Sequence, residues 1–259
     1  MDYQQPASRR RSIETEDRLL GGRILLAQPK SGYRVAIDPL LLAAAIAPRR
    51  GDRVLDAGCG TGAAALCLVS RTRHEGVVGI ELNGQLAALA RRNVSANGFD
   101  SAIAIVEASF RDFAAEHPGG FDQVMTNPPF YATDTHTPSP SPTRAIAHGE
   151  STLDLKGWVA AATDTLKPGG KLTLIHRADR IGSLLAALEG RFGAAAIFPL
   201  WPRAGSDAGR IIVSAIKGRR TLPRLMAGLI LHRQDGSYTD DAERILRDAA
   251  PLDPGPASD

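Results

Sequence analysis

The sequence predicts an α/β fold, doubly wound around a mostly parallel sheet, and three features predict it. From residue 53 onward short apolar runs alternate with small-residue or amphipathic runs, the rhythm of strand, helix, strand. The connections are short, so successive strands fall in one sheet. A glycine-rich turn, Asp56-Ala-Gly-Cys-Gly-Thr-Gly62, follows the first apolar run, where open α/β sheets bind ligands beyond the carboxyl ends of their strands.

Each element follows in order. RVLDAG (53–58) is a short buried strand, and TGAAALCLVSR (61–71) a helix of small and apolar residues. VVGIEL (77–82) is the second strand; GQLAALARRNVSANG (84–98) is a helix closed by Asn-Gly. AIAIVEAS (102–109) and FDQVMTN (121–127) are the third and fourth strands. LDLKGWVAAATDTLKPGG (153–170) reads as a helix stopped by Pro-Gly-Gly, with KLTLIHR (171–177) as the fifth strand and RIGSLLAALEG (180–190) as a helix. AAAIFPLW (194–201) and RIIVSAIKG (210–218) leave no room for a helix between them, so they form an antiparallel hairpin at one edge. The expectation is a Rossmann-like, mostly parallel, seven-stranded sheet with an antiparallel edge hairpin. It occupies residues 15–248, with disordered tails over 1–14 and 249–259. Between Phe130 and Glu150 a Ser/Thr/Pro-rich stretch, TDTHTPSPSPTR, reads as a long loop of functional interest.

Composition narrows the function. No apolar run is long enough to cross a bilayer, and no apolar segment follows the arginines near the N-terminus, so a soluble cytoplasmic protein is expected. Two cysteines and six scattered histidines show no zinc-type spacing, and no metal is expected. A net charge of +3, supplied mostly by arginine, suits phosphate recognition without requiring it.

The glycine turn has two ligand readings besides that of a bare turn. Gly58-x-Gly60-x-x-Ala63 satisfies the dinucleotide fingerprint, with Glu81 ending the next strand where a carboxylate grips ribose hydroxyls. Asp56, taken to sit at the mouth of the loop, disfavours a pyrophosphate and suits a ligand carrying an ammonium and a sulfonium. VLDAGCGTG resembles the first motif of class I S-adenosylmethionine (SAM)-dependent methyltransferases, and GIELN resembles their second. The resemblance implies that Asp56, Gly58, Cys59, Gly60, Thr61, Gly62, Glu81 and Leu82 hold the cofactor. It also implies that Ser109, at the position usually held by Asp, lies near the adenine with Glu107 and Phe110.

Asn127-Pro128-Pro129-Phe130, at the end of the fourth strand, matches the fourth motif of methyltransferases that act on planar amino nitrogens. Such a nitrogen shares its lone pair with a π-system and is a poor nucleophile. By resemblance, the Asn127 side-chain oxygen and the Pro128 carbonyl accept hydrogen bonds from it, and proline adds no competing donor. Those bonds orient the amine and favour the charge that develops on it. Phe130, and Tyr131 beside it, can stack on the substrate. The strand-terminating role of the prolines holds on either reading.

TEDRLLGGRILLAQPKSGYRVAIDPLLLAA (15–44) resembles the N-terminal signature of the bacterial tRNA-valine adenine N6-methyltransferase family, and the likeness extends through NPPF, AHGE, KPGGKLTLIHR and RIIVSAIKG. It implies SAM as cofactor, tRNA as partner and the N6 amine of adenine 37 as acceptor. Tyr33, Arg34 and Asp38 then lie near the methionine end of the cofactor. Arg144, Lys217, Arg219 and Arg220 are candidate RNA contacts, with Arg9 to Arg11, Arg49 and Arg50 as further basic clusters. The alternatives are another planar amine, in ribosomal RNA or a release-factor glutamine, and a SAM- or RNA-binding protein without catalysis.

Overall fold

A computed structural model describes residues 14–30, 34–129 and 153–252. Its strands are β1 (Glu14–Leu19), β2 (Ile24–Pro29), β3 (Val54–Ala57), β4 (Val77–Glu81), β5 (Ile103–Glu107) and β6 (Phe121–Thr126), followed by β7 (Leu166–Arg177), β8 (Phe192–Arg203), β9 (Arg210–Lys217), β10 (Arg224–Leu225) and β11 (Leu229–His232). The helices are α1 (Asp38–Ala44), α2 (Ala63–Thr72), α3 (Gly84–Ala96) and α4 (Phe110–Glu116), then α5 (Leu155–Thr165), α6 (Ile181–Leu188) and α7 (Asp240–Leu246).

The seven expected strands pair in one sheet, in the order β8-β9-β7-β6-β3-β4-β5. Neighbours from β7 to β5 are parallel, and β9 runs antiparallel to both β7 and β8. Two short strands, β10 and β11, add to the outer side of β8, so the β8–β9 hairpin lies one step in from the edge. At two and four residues they are too short to carry a readable period.

The sheet is covered on both faces. One core layer joins α1, α2 and α7 with the N-terminal hairpin, and the other joins α4, α5 and α6. Strands enclosed this way become near-continuous apolar runs, as in VLDA, which is buried throughout. The packed chain runs on to Leu252, past the Asp248 boundary read from the sequence: Leu252 is buried and its N–H donates to Ala44 O at 2.9 Å. Among the described residues no helix is long and apolar enough to cross a membrane.

Two elements differ from the expectation. Pro-Gly-Gly does not stop a helix: α5 ends at Thr165, and Leu166 already pairs with Phe121, so Lys167 to Gly170 lie inside β7 at a register irregularity. Residues 15–29, read above only as part of a family signature, form the antiparallel β1–β2 hairpin together with Glu14, which the sequence reading places in a disordered tail. Its turn places Gly21 at φ +64, where an added Cβ would come within 2.8 Å of Arg247 O, so only glycine fits.

Two asparagines fasten this hairpin to α3. Asn93 accepts from Ala27 N and donates to Ala27 O, both at 2.9 Å, and Asn97 does the same at Leu25, at 2.9 and 2.8 Å. Asn93 Nδ2 also donates to Thr61 O at 3.0 Å. One buried amide therefore joins the hairpin, α3 and the glycine turn.

Candidate functional site

Parallel register brings the functional segments to one edge of the sheet. Ala57 is level with Ile80 on one side and Thr126 on the other, and Glu81 is level with Glu107. The residues that follow these strands therefore emerge on one edge, with Gly58 between Asn127 on one side and Leu82 on the other.

The glycine turn is tightly held. The N–H groups of Gly58 and Cys59 both donate to Ile80 O at 2.9 Å, and Gly62 N closes the turn on Cys59 O at 2.8 Å. Gly58, Gly60 and Gly62 have φ of +72, +57 and +86, a region that side chains disfavour. Space beyond Gly60 is open, whereas a Cβ on Gly58 would meet the Trp158 ring at 3.2 Å. Cys59 is buried and packs its sulfur against Gly79; burial, with Asp56 and Glu81 nearby, pushes its thiol pKa well up, so it is no nucleophile.

Glu81 faces this turn. Its Oε2 accepts from Gly60 N and its Oε1 from Asn83 N, both at 2.9 Å. Two backbone amides thus fix the carboxylate, and each oxygen keeps a further lone pair for a ligand hydroxyl. Next to it Leu82 is 49% exposed and Val106 on β5 is 37% exposed. Two bare apolar side chains beside an oriented carboxylate suit a flat heterocycle joined to a sugar. Thr61 is buried, and its hydroxyl has no hydrogen-bond partner, a further polar group available to a ligand at the turn. The residues present fit a nucleoside-type cofactor.

Asp56 corrects the sequence reading. It does not stand at the mouth of the loop: alternation along β3 turns it under α2, where it is 2% exposed and Oδ2 accepts from Ala65 N at 3.2 Å. Burial raises its pKa from 3.8 to about 7; the Ala65 bond opposes the rise and the Glu81 charge adds to it. Asp38 begins α1 and pairs with Arg210 at 3.0 Å. Arg210 opens β9 opposite Arg177, the last residue of β7, so Asp38 does lie at the site edge. Arg34 turns away, pairing with Asp17 on the hairpin at 2.8 Å.

Ser109 is the N-cap of α4: its oxygen accepts from Asp112 N at 3.1 Å, and its hydroxyl donates to the Asp112 carboxylate at 2.7 Å. Phe110 is buried and packs edge-on against Trp158 with centroids 5.3 Å apart, so it backs the pocket rather than facing it. Asn127 is half-buried, Pro128 buried and Pro129 exposed. Behind them Thr126 is fully buried, accepts from Trp158 Nε1 and donates to Ala57 O, each at 2.8 Å.

The arginine and lysine candidates fall elsewhere. β9 runs from Arg210, at the site edge, to Lys217, beyond the Ile216–Lys171 pair at the far edge. At about 3.3 Å per residue this puts Lys217, and Arg219 and Arg220 after it, roughly 20 Å from the site edge. Lys217 is also committed, donating to Thr163 O and Leu166 O at 2.6 Å and so capping α5. Arg49 and Arg50 precede β3 and share that far edge. Tyr33, Phe130, Tyr131, Arg144 and Arg9 to Arg11 lie outside the described residues, as does the Ser/Thr/Pro-rich stretch. At the site edge, Arg177 and Arg203 end β7 and β8 and are exposed. Among the described residues no group of three or more His, Cys, Asp or Glu is placed to hold a metal ion. Sequence reasoning missed Trp158, Thr126 and Asn93, whose roles depend on partners 32 to 69 residues away.

Fold and cradle together define a protein of the methyltransferase class. The chain belongs to the methyltransferase small domain family, whose model matches residues 34–198, and within it to the tRNA1(Val) (adenine(37)-N6)-methyltransferases. The relative of that name from Aeromonas salmonicida is 31% identical over 218 residues, 82% of this chain and 87% of its own. One from Porphyromonas gingivalis is 34% identical over 169 residues, 62% of this chain and 66% of its own. Among solved structures, a predicted O-methyltransferase from Agrobacterium tumefaciens superposes with a TM-score of 0.70 at 28% identity, covering 83% of this chain and 98% of that one. A SAM-dependent O-methyltransferase from Thermotoga maritima shares the fold, with a TM-score of 0.53 at 16% identity, over 74% of this chain and 68% of that one.

Proposed function

We propose that this protein transfers a methyl group from SAM to the N6 amine of adenine 37 in a tRNA, in the cytoplasm, with residues 14–252 as its catalytic domain. The observation that carries the reading is the register of β3 with β6, which sets the Asn-Pro-Pro turn beside the glycine turn. Membership among the tRNA1(Val) adenine N6-methyltransferases supplies the acceptor.

Glu81 would hold the ribose hydroxyls, Leu82 and Val106 would flank the adenine, and Gly60 and Thr61 would line the turn. Asp38 and Asp56 would favour the cationic end, Asp56 from beneath. When bound, SAM supplies an electrophilic methyl on a sulfonium, a very good leaving group. The chain's own residues then have to orient and stabilise rather than deprotonate. Asn127 and Pro128 present oxygen acceptors to the two amine hydrogens, which aims the nitrogen and steadies its growing positive charge. Pro128, buried and unable to donate, keeps that acceptor surface uncontested. Phe130 would stack on the base. For the RNA, the exposed Arg203 would add a phosphate contact on the edge of Asn127, where Arg177 is already paired with Asp179.

The test is to incubate the protein with labelled SAM and separate pools of tRNA, ribosomal RNA and release factors, then digest and identify the product. N6-methyladenosine in tRNA is expected. Methylglutamine, a ribosomal product or no transfer refutes the reading. Asn127→Ala should lose transfer by at least a hundredfold while SAM affinity stays near that of the wild type.

A further inference from the structure

Three parts of the site meet on one side chain that no catalytic motif contains. Trp158 sits in the first turn of α5, held there by the Asp154 N-cap, which accepts from Gly157 N at 2.7 Å. The edge of its ring lies 3.2 to 3.3 Å from where a Cβ on Gly58 would stand. The ring packs edge-on against Phe110 at the start of α4, at 5.3 Å. Its Nε1 donates to Thr126 Oγ1, and that hydroxyl donates to Ala57 O, both at 2.8 Å. Thr126 directly precedes Asn127, and Ala57 directly precedes Gly58.

We infer that Trp158 is a positioning residue for methyl transfer, locking the Asn-Pro-Pro turn and the glycine turn in one relative placement. The inference rests on the proposed function, because it matters only if donor and acceptor are held by those two turns. The Thr126 hydroxyl has one proton, and Ala57 O takes it. The indole N–H fills an acceptor site on the same oxygen, so the hydroxyl cannot turn without breaking two buried bonds. Glycine at 58 is required on the same account, since a side chain there would displace the ring.

The chain has two tryptophans, and the other, Trp201, bonds Ala227 O from β8, three strands away from β6. Trp201→Phe therefore leaves Trp158 as the sole indole reporter. Titrated with S-adenosylhomocysteine, it should show a saturable change in emission. Trp158→Phe keeps a ring over Gly58 but lacks the N–H. It should bind S-adenosylhomocysteine within about threefold of the wild type by calorimetry, while kcat falls about tenfold. Thr126→Val should lose a similar factor, the double variant little more than either single one, and Thr126→Ser should retain the wild-type kcat. Unchanged emission at calorimetric saturation, a wild-type kcat in folded Trp158→Phe, or losses that multiply in the double variant would each overturn the inference. A wild-type protein that binds no S-adenosylhomocysteine fails earlier, at the proposed function itself, and takes the inference with it.

Discussion

The perturbation Asp56→Asn isolates the buried carboxylate. Asp56 is 2% exposed, and its pKa stands at about 7 against 3.8 for a solvated group. A raised folded-state value means that the native protein holds its proton while the unfolded chain releases it. Stability is therefore full below about pH 4, falls as pH rises towards 7, and levels off above that. With about 1.4 kcal/mol per tenfold change in proton affinity, the ionised form costs the fold about 4 kcal/mol. Asparagine carries no charge and keeps an acceptor for Ala65 N, but it leaves amide hydrogens unpaired, at about 2 kcal/mol. Above pH 7 the variant should be more stable by about 2 kcal/mol, or roughly 5 °C in Tm for a domain of this size. Near pH 4 the order should reverse, because aspartic acid is neutral there and offers its own hydroxyl donor. The assay is urea or thermal unfolding of both proteins between pH 4 and 8, with the difference taken at each pH so that other titrations cancel. A variant less stable than wild type at pH 8, or a difference that does not vary with pH, refutes a buried, strained carboxylate. Above pH 7, where Asp56 is ionised, the same variant should bind SAM more weakly by calorimetry, and the difference should shrink as the pH falls below 7.

Three further outcomes follow from packing and surface charge. Asn93→Ala removes three buried hydrogen bonds that join β2, α3 and the glycine turn; it should cost about 3 kcal/mol in urea unfolding and speed amide exchange in the hairpin. Lys217→Met should cost about 1 to 2 kcal/mol of stability by uncapping α5, while tRNA affinity measured by fluorescence anisotropy is unchanged. Arg203→Glu should do the opposite, weakening tRNA and leaving stability intact.

The parts of the site that rest on consecutive residues were legible. Gly58 to Gly62 and Asn127 to Pro129 carry their turn chemistry in their own backbone, through positive φ or a missing N–H. Glu81 could be placed by counting to the end of the next strand. Asp56 could not, because its face of β3 depends on which helix covers it. Strand direction was hidden too: Lys217, Arg219 and Arg220 look like a basic cluster, and the course of one antiparallel strand carries them to the edge opposite the two turns, while Arg144 lies outside the described residues. The hairpin over residues 14–29 was hidden as well, because it is fastened by Asn93 and Asn97, some 66 to 72 residues further along the chain.

The sequence by itself determined the alternation of strands and helices, the glycine turn and the acceptor turn, because each depends on local periodicity or on a residue's own dihedral limits. The tertiary structure alone decided that Asp56 is buried, that Lys217 caps a helix, and that Trp158 joins the two turns. Those outcomes depend on strand direction and on contacts between residues far apart in the chain, and neither leaves a local pattern to read.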